Sequence, residues 1–202
     1  MKARAIDEAE VRKAAEDWVR HRFPGEPKEL AGIRPMYLEH HLRRCLRVLE
    51  LMPDPPGRGR LLELGSGLYF MTFLVRRFFD YDMELVQYWS KPDGEYESVL
   101  VDGRTGSTTV YPFRHFNAET DPFPYADVSF DLILICDTIE HLVSDPVNML
   151  AESHRVLKPG GRVILSTPNV LRRSNVARLL RGTNIYDKYC RQSPAGRHPR
   201  EY

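Results

Sequence analysis

Two stretches at the beginning of the chain carry apolar residues at helical spacing. Apolar positions recur every three or four residues over residues 6–22, and the same period returns from about Pro35 to Met52. The segment FPGEPKELAG lies between these stretches, and PDPPGRGR follows the second one. Because clusters of proline and glycine interrupt helices, the pattern predicts two amphipathic helices bounded by breaker segments.

The period then changes to short apolar runs that alternate with helical stretches. The runs predict strands and the stretches predict helices, in the chain order Arg60–Leu64 (strand), Tyr69–Phe79 (helix), Met83–Tyr88 (strand), Phe130–Cys136 (strand), Pro146–Leu157 (helix) and Arg162–Ser166 (strand). Apolar strands that alternate with helices are typical of a parallel sheet covered on both faces. We therefore predict an α/β fold with an open, doubly wound, mostly parallel sheet.

A hairpin is predicted where this alternation would otherwise supply a helix. Two runs rich in strand-forming residues, about Ser98–Asp102 and Ser107–Phe113, flank the turn GRTG. We expect the second run to continue into a strand of the main sheet that ends near Phe116.

Composition restricts the class of protein. With 202 residues, 42% apolar and 28% charged, the chain is long enough for one globular domain. Its 29 basic and 28 acidic side chains nearly cancel, so net charge gives no reason to expect a nucleic-acid partner. No apolar run is long enough for a membrane span, and the charged N-terminus does not resemble a signal peptide, so we expect a cytoplasmic protein. Nothing in the sequence indicates an oligomeric state.

The cysteines and histidines do not indicate a metal site. The three cysteines, Cys45, Cys136 and Cys190, are far apart and form no Cys-x-x-Cys pair, so neither a disulfide framework nor a bound metal is expected. His40 and His41 are adjacent on a predicted helix, where neighbouring side chains point about 100° apart.

The unusual residues follow the predicted strands. Ligands of an open parallel sheet bind at the carboxyl ends of its strands, near the switch in strand order. Glu63–Gly67, Phe116–Glu119 and Cys136–Leu142 each follow a strand. A dinucleotide site would need G-x-G-x-x-G, but Phe70 occupies the sixth position, and neither a Walker loop nor a hydrolase elbow is present. A Gly-x-Gly alone is also typical of an ordinary turn.

Three segments in a fixed order carry a resemblance to a known family. ELGSG, FNAETDPFPYADVSFDLILICDTIEHL and ESHRVLKPGGRVILSTPNV, together covering about residues 60–170, resemble the class I S-adenosylmethionine-dependent methyltransferases of types 11 and 12. The resemblance implies a Rossmann-like core and S-adenosylmethionine as the cofactor. It also implies methyl transfer to a small-molecule acceptor. The arginine-rich tail is compatible with a glycan-related acceptor that carries phosphate, or simply with a solvated surface.

The resemblance implies roles for individual residues. Glu63 and the loop Gly65, Ser66 and Gly67 would hold the amino acid end of the cofactor, Asn117 and Ala118 would contact adenine, and Cys136 would lie along the methionine portion. Cys136 is equally compatible with core packing, and Asn117 with a turn. His141 is the candidate general base because its unperturbed pKa lies near neutrality. The alternative is that Glu140 and His141 begin a helix or pack.

Two departures from the family pattern bear on cofactor binding. The acid that normally ends the second strand and holds the ribose is missing, since Glu84 is too early and Asp93 too late. Tyr88, Trp89 or a polar neighbour would have to substitute, or affinity would be low. Tyr69 occupies the position of the third glycine, and we expect its bulk to lie beside the amino acid end of the cofactor.

The sequence predicts three parts: an N-terminal helical cap (1–56), a cofactor-binding core (57–170) and a basic tail (171–202) with one helix at about Ser174–Leu180. The tail contains no clear strand pair, so the usual C-terminal hairpin is expected to be lacking, as in a shortened family member. The cap and the 98–113 hairpin are the expected acceptor-side elements. Two hypotheses follow: an active methyltransferase, or a non-catalytic protein of the same fold that acts through protein contacts.

Overall fold

A seven-stranded sheet organises the computed structural model, which describes residues 6–26, 28–55, 57–88, 91–143 and 145–183. The helices are α1 (Glu8–Val19), α2 (Lys28–Leu51), α3 (Phe70–Phe78), α4 (Val147–Val156) and α5 (Arg173–Leu180), with a 3-10 helix at Ile139–His141. The strands are β1 (His21–Arg22), β2 (Gly59–Leu64), β3 (Tyr81–Gln87), β4 (Gly94–Asp102), β5 (Thr108–His115), β6 (Phe130–Cys136) and β7 (Leu157–Ser166).

The strand order is β1-β4-β5-β3-β2-β6-β7. Strands β5, β3, β2, β6 and β7 are parallel, whereas β4 pairs antiparallel with β5, and β1 with β4. The chain winds outward from β2 to β3 and β5 on one side and then returns to β6 and β7 on the other. The order therefore switches between β2 and β6, which confirms the predicted doubly wound, Rossmann-like sheet.

Both faces of the sheet are covered. Alternate residues of β2 and β6 face opposite sides: Leu61 and Leu132 pack with α1, α2 and α3, whereas Leu62 and Ile133 pack with α4. This explains why these strands are continuous apolar runs rather than alternating ones. The N-terminal helices share one hydrophobic cluster with the sheet, and the three-part division of the chain stays a prediction.

Trp18 of α1 joins the N-terminal helices to the turn after β2. The side chain is fully buried, its Nε1 donates to the backbone oxygen of Leu68 at 3.1 Å, and its ring centroid lies 4.6 Å from that of Phe70. A buried indole needs a partner for its N–H, and here the turn supplies one. The position of α1 therefore depends on the conformation of that turn.

The predicted hairpin and all the predicted strands are confirmed, with differences at the ends. β4 begins four residues earlier than expected, whereas β5 ends at His115, close to the predicted end, and joins the main sheet beside β3. β7 begins before the predicted strand Arg162–Ser166 and includes the Lys-Pro-Gly-Gly segment. Its pairing with β6 is irregular between Phe130 and Leu132, and Gly160 has φ +80°. Such a bulge accommodates glycine without ending the strand.

The predicted start of the second helix, at about Pro35, was wrong. The second half of FPGEPKELAG is helical, so α2 begins at Lys28 and contains Pro35. A physical reason lies at Arg34, which is completely buried and pairs with Glu26 at 3.1 Å. The guanidinium also lies 4.9 Å from the Trp18 ring and 5.3 Å from the Phe23 ring. These buried contacts outweigh the helix-breaking tendency of the proline.

The predicted tail helix is present as α5. The rest of the basic tail, with Cys190, lies outside the described residues, as does Trp89. Among the helices that the structure describes, each is too short or too polar to cross a membrane.

The buried ion pair gives a test of this packing. Glu26→Leu is expected to lower the free energy of unfolding by about 3–5 kcal/mol, because the Arg34 charge would remain buried without its partner. Adding Arg34→Met should recover most of that loss. Chemical denaturation measures both, with Glu39→Leu as the control, since the Arg12–Glu39 pair is solvent-exposed and should contribute less than about 1 kcal/mol. Similar losses for Glu26→Leu and Glu39→Leu would contradict the assignment.

Candidate active site

A cavity of about 940 Å³ lies at the carboxyl ends of β2 and β6, where the strand order switches. Its volume is near the upper end of the range of about 300–1,000 Å³ that is typical of small-molecule sites. The cavity brings together nine of the site residues expected from the sequence: Glu63, Gly65, Ser66, Gly67, Tyr88, Asn117, Ala118, Cys136 and His141.

The turn after β2 requires glycine for two separate reasons. Gly65 has φ +81°, and a Cβ there would clash with Thr138 Oγ1. Gly67 has φ +43°, but its Cβ would meet nothing closer than the Gly65 oxygen at 3.7 Å. The Gly65 and Ser66 amides both donate to the Val86 oxygen, at 3.0 and 3.1 Å. The turn is thus fixed to β3 and leaves space above Gly67.

Tyr69 does not line the cavity, contrary to the expectation that it lies beside the cofactor. Its backbone is left-handed, with φ +60°, which suits the glycine that usually stands there. The side chain is buried among β4 and β5, and its ring stacks on Tyr111 with centroids 4.6 Å apart. The Tyr69 side chain therefore packs in the hydrophobic core beside the β4–β5 hairpin and does not narrow the cavity.

Glu63 is a buried acid at the base of the turn. It is 2% exposed, and the Thr72 hydroxyl donates to its Oε2 at 2.6 Å. Burial raises the pKa of Glu63 to about 7, with the Thr72 hydrogen bond and the Arg76 charge opposing the shift. Glu63 is therefore the cavity acid whose charge changes near neutral pH.

The end of β3 carries a residue that the sequence interpretation missed. Gln87 is buried, lines the cavity, and donates from Nε2 to Ser66 Oγ at 3.0 Å and to the Gly67 oxygen at 3.4 Å. Its position directly after an apolar run was the available signal. Gln87 and Tyr88 thus stand where the family usually has its ribose acid.

Asp93 returns to the same edge of the sheet through the β4–β5 hairpin. Gly94 pairs with His115, and His115 pairs with Gln87 of β3. The Asp93 carboxylate lies 3.4 Å from His115 Nδ1. Asp93 does not line the cavity, so the missing acid is not directly replaced by it.

The loop after β5 combines a turn with part of the cavity wall. The side-chain Oδ1 of Asn117 accepts from the backbone N–H of Glu119 at 3.1 Å, and the backbone N–H of Asn117 donates to Asp121 Oδ2 at 2.9 Å. Asn117 is therefore a turn former that also faces the cavity. Glu119, a second missed residue, accepts from the amides of Val143 and Asp145 at 3.1 and 2.9 Å. It fixes the loop after the 3-10 helix to the loop after β5.

Residues at and after the end of β6 were expected either to pack in the core or to take part in the site. Cys136 is partly buried against the core as well as lining the cavity, and burial raises the pKa of its thiol to about 12. Glu140 is buried and accepts from the Thr167 hydroxyl at 3.2 Å, which makes it a packing residue. His141 is exposed and faces the cavity from the 3-10 helix. This placement of His141 is compatible with its proposed role as a proton acceptor.

One wall of the cavity comes from α2 and was not predicted residue by residue. Its members follow helical spacing on a single face: Tyr37, His41, Arg44, Cys45 and Val48. The rings of Tyr37 and His41 stack with centroids 3.9 Å apart. The general expectation that the N-terminal helices border the acceptor side is compatible with this wall. Among the described residues, no group of three or more His, Cys, Asp or Glu side chains has the arrangement of a metal site.

This sheet and its glycine turn at the switch point form a Rossmann-like core, and the family match gives its class as the S-adenosylmethionine-dependent methyltransferases. The family described as the methyltransferase domain matches residues 62–165, just over half of the chain. The chain belongs to this family, whose cofactor is S-adenosylmethionine.

Curated relatives share the match over a longer region. The chain is 29% identical over 171 residues to the ubiquinone biosynthesis O-methyltransferase of Ruegeria pomeroyi, covering 81% of this chain and 64% of that protein. It is 30% identical over 171 residues to the protein of that name from Cereibacter sphaeroides, covering 81% and 65%. The chain thus spans less than two thirds of the length of these relatives.

A solved structure with a similar fold is an S-adenosylmethionine-dependent methyltransferase from Archaeoglobus fulgidus. It is 16% identical, with a TM-score of 0.48, and the match covers 66% of this chain and 57% of that one. The family assignment rests on the sequence match and the sheet order.

The two glycines of the turn are expected to differ in their tolerance of a side chain. Gly65→Ala should lower the free energy of unfolding by more than about 2 kcal/mol, since a clash with Thr138 adds to the left-handed backbone cost of about 1–2 kcal/mol. Gly67→Ala should lower the free energy of unfolding by the backbone cost alone. Chemical denaturation measures both, and Thr138→Ala should recover part of the Gly65→Ala loss. Equal losses at the two positions would contradict the steric explanation.

Proposed function

We propose that this chain transfers the methyl group of S-adenosylmethionine to a hydroxyl oxygen of a small-molecule acceptor. The observation that carries the proposal is the convergence of all the family-implied residues on one cavity at the strand switch. When bound, S-adenosylmethionine supplies a methyl group on a positively charged sulfur, already activated for in-line displacement. The chain then has to bind and orient the two reactants and exclude water.

The residues fit the cofactor at each of its parts. The space above Gly67 and the buried acid Glu63 suit an amino acid group, because a carboxylate pairs with an ammonium. Asn117 and Ala118 would border adenine, and Cys136 the methionine portion. Tyr88, which is 46% exposed at the end of β3, would contact the ribose beside Gln87.

The acceptor is proposed from the relatives and from the wall of α2. The relatives are named O-methyltransferases of ubiquinone biosynthesis, which supports a hydroxyl-bearing acceptor for this chain. A glycan-related acceptor, the other expectation from the sequence, has no support in those names. The stacked Tyr37 and His41 rings give the acceptor side a partly apolar surface.

A second candidate function is a non-catalytic protein of the same fold. It is favoured by the end of β3, where the amide Gln87 replaces the usual ribose acid. Losing a charged hydrogen-bond pair costs about 1.5–3 kcal/mol, or roughly a ten- to hundredfold loss of affinity. Cofactor binding would be weakened without being abolished.

Cofactor binding distinguishes the two candidates. Isothermal titration of the full chain with S-adenosylmethionine and S-adenosylhomocysteine is expected to give dissociation constants below about 1 mM, within the usual range of substrate affinities. A folded protein that binds neither compound at that concentration would exclude the enzyme and favour the non-catalytic alternative.

Cofactor affinity is expected to depend on pH through Glu63. Burial raises the pKa of Glu63 to about 7, and only the carboxylate attracts the ligand ammonium. Affinity for S-adenosylhomocysteine should therefore level off about one unit above pH 7 and fall below pH 7 by up to about tenfold per pH unit. Glu63→Gln should bind more weakly at pH 7.5 and lose this dependence. The ligand titrates identically with both proteins, so a parallel pH profile for Glu63→Gln would refute the role of Glu63.

His141 is the proposed general base for the acceptor proton. With catechol as the acceptor, His141→Ala should lower the rate at which S-adenosylhomocysteine is formed by about 10²–10⁴-fold. The affinity for S-adenosylhomocysteine should change little. His154→Ala serves as the matched control, because His154 is an exposed histidine of α4 away from the cavity. Unchanged turnover in His141→Ala would remove His141 from the mechanism.

A further inference from the structure

Arg44 and Asp137 join α2 to the end of β6 inside the cavity. The Arg44 guanidinium donates to Asp137 Oδ2, and the two side chains are 23% and 18% exposed. Both residues line the cavity, and neither is used by the cofactor contacts proposed above. The pair therefore needs its own explanation.

The backbone of Asp137 is held in a strained conformation. Its φ is +51°, and its amide donates to the Ser166 oxygen of β7 at 3.0 Å. Non-glycine residues in this region are uncommon, and strain of this kind persists where the surroundings fix it, often at ligand sites. In this conformation Asp137, which directly follows Cys136, lines the cavity.

One oxygen of the Asp137 carboxylate lacks a donor. Oδ2 is engaged by Arg44, but Oδ1 is shielded from solvent and has no hydrogen-bond partner among the described residues. Leaving a buried carboxylate oxygen unpaired is costly, so a donor supplied by a ligand would be bound favourably.

His41 completes the surroundings of this carboxylate. Arg44 also donates to His41 Nδ1. A guanidinium cannot accept, so the neutral imidazole must carry its proton on Nε2. Burial, followed by the charges of Arg44 and His40, lowers the pKa of His41 to about 4, so the ring is neutral near pH 7. Its stacking on Tyr37 provides a flat, uncharged surface in the same cavity.

We propose that Asp137, held by Arg44, binds a hydroxyl of the methyl acceptor through its partly exposed carboxylate, beside the ring surface of Tyr37 and His41. The inference rests on the proposed function and names the acceptor-binding residues of the same site. Because the charge of Arg44 offsets that of Asp137, the pair favours a neutral hydroxyl over an ammonium. The acceptor class is a planar, apolar molecule with at least one hydroxyl.

The test compares two probes that share a ring and differ in donors. Catechol has two hydroxyls, whereas 1,2-dimethoxybenzene has none. Both are titrated into the full chain saturated with S-adenosylhomocysteine. The wild type is expected to bind catechol at least about tenfold more tightly, the effect of one hydrogen bond to a charged group.

Asp137→Asn reverses the polarity of the site at constant size. Arg44 would bind the amide oxygen and turn the NH₂ group toward the cavity, so the preference for catechol should fall to about onefold or reverse. The affinity for S-adenosylhomocysteine should stay within about twofold. Arg44→Gln should weaken the preference, whereas Arg43→Gln, on an exposed position of the same helix, should leave it intact.

The outcomes separate this inference from the proposed function. If the wild type does not bind S-adenosylhomocysteine, both fail. If it binds but shows no catechol preference, or if Asp137→Asn keeps that preference, only the acceptor assignment is overturned. A loss of S-adenosylhomocysteine affinity in Asp137→Asn would assign the carboxylate to the cofactor and likewise overturn it. Thermal unfolding checks that each variant folds, and Arg44→Gln carries the test if Asp137→Asn does not.

Discussion

The close contact between Gly65 and Thr138 is the constraint on which the site depends. β2 and β6 pair in parallel, with Leu64 opposite Ile135, so the loops that follow them must pass each other at once. Thr138 Oγ1 donates to the Leu64 oxygen at 2.9 Å, and no room remains for a side chain on Gly65. Only beyond this contact do the two loops diverge, and the cavity opens between them. The glycine is thus required first by packing between strands, and the space for a ligand follows from it.

The helix α2 adds a wall to this crevice, and α1 packs beside it in the same hydrophobic cluster. Trp18 fixes α1 to the turn through the Leu68 oxygen, and Arg44 fixes α2 to the loop after β6 through Asp137. Both contacts end on the loops that diverge from the Gly65–Thr138 contact. The two helices are therefore positioned by the loops that border the cavity, which couples the packing of the helices to the shape of the site.

The sequence predicted those features that depend on local pattern and on the convergence of parallel strands. Apolar runs identified β2, β3, β6 and β7, and their carboxyl ends necessarily share one edge, so residues such as Glu63 and Asn117 could be assigned to one site. Tyr37 and Arg44 could not, because helical periodicity does not distinguish a face that packs on the core from one that borders a cavity. The conformation of Tyr69 and the helical Pro35 depend on tertiary contacts, with Tyr111 and around Arg34, that no local pattern encodes.

The acids of the cavity differ in what neutralises them, and this difference suggests where a cationic ligand belongs. Asp137 is offset by Arg44 and Glu140 is hydrogen-bonded to Thr167, whereas Glu63 receives a neutral hydroxyl from Thr72. A positively charged ligand group therefore gains most beside Glu63, because that buried charge is only partly offset by Arg76 and no cation pairs with it directly among the described residues. Beside Asp137 the guanidinium already does so, and a neutral donor is the better match. The two acids of the cavity thus favour ligands of different charge, as a cationic methyl donor and an uncharged hydroxyl acceptor would require.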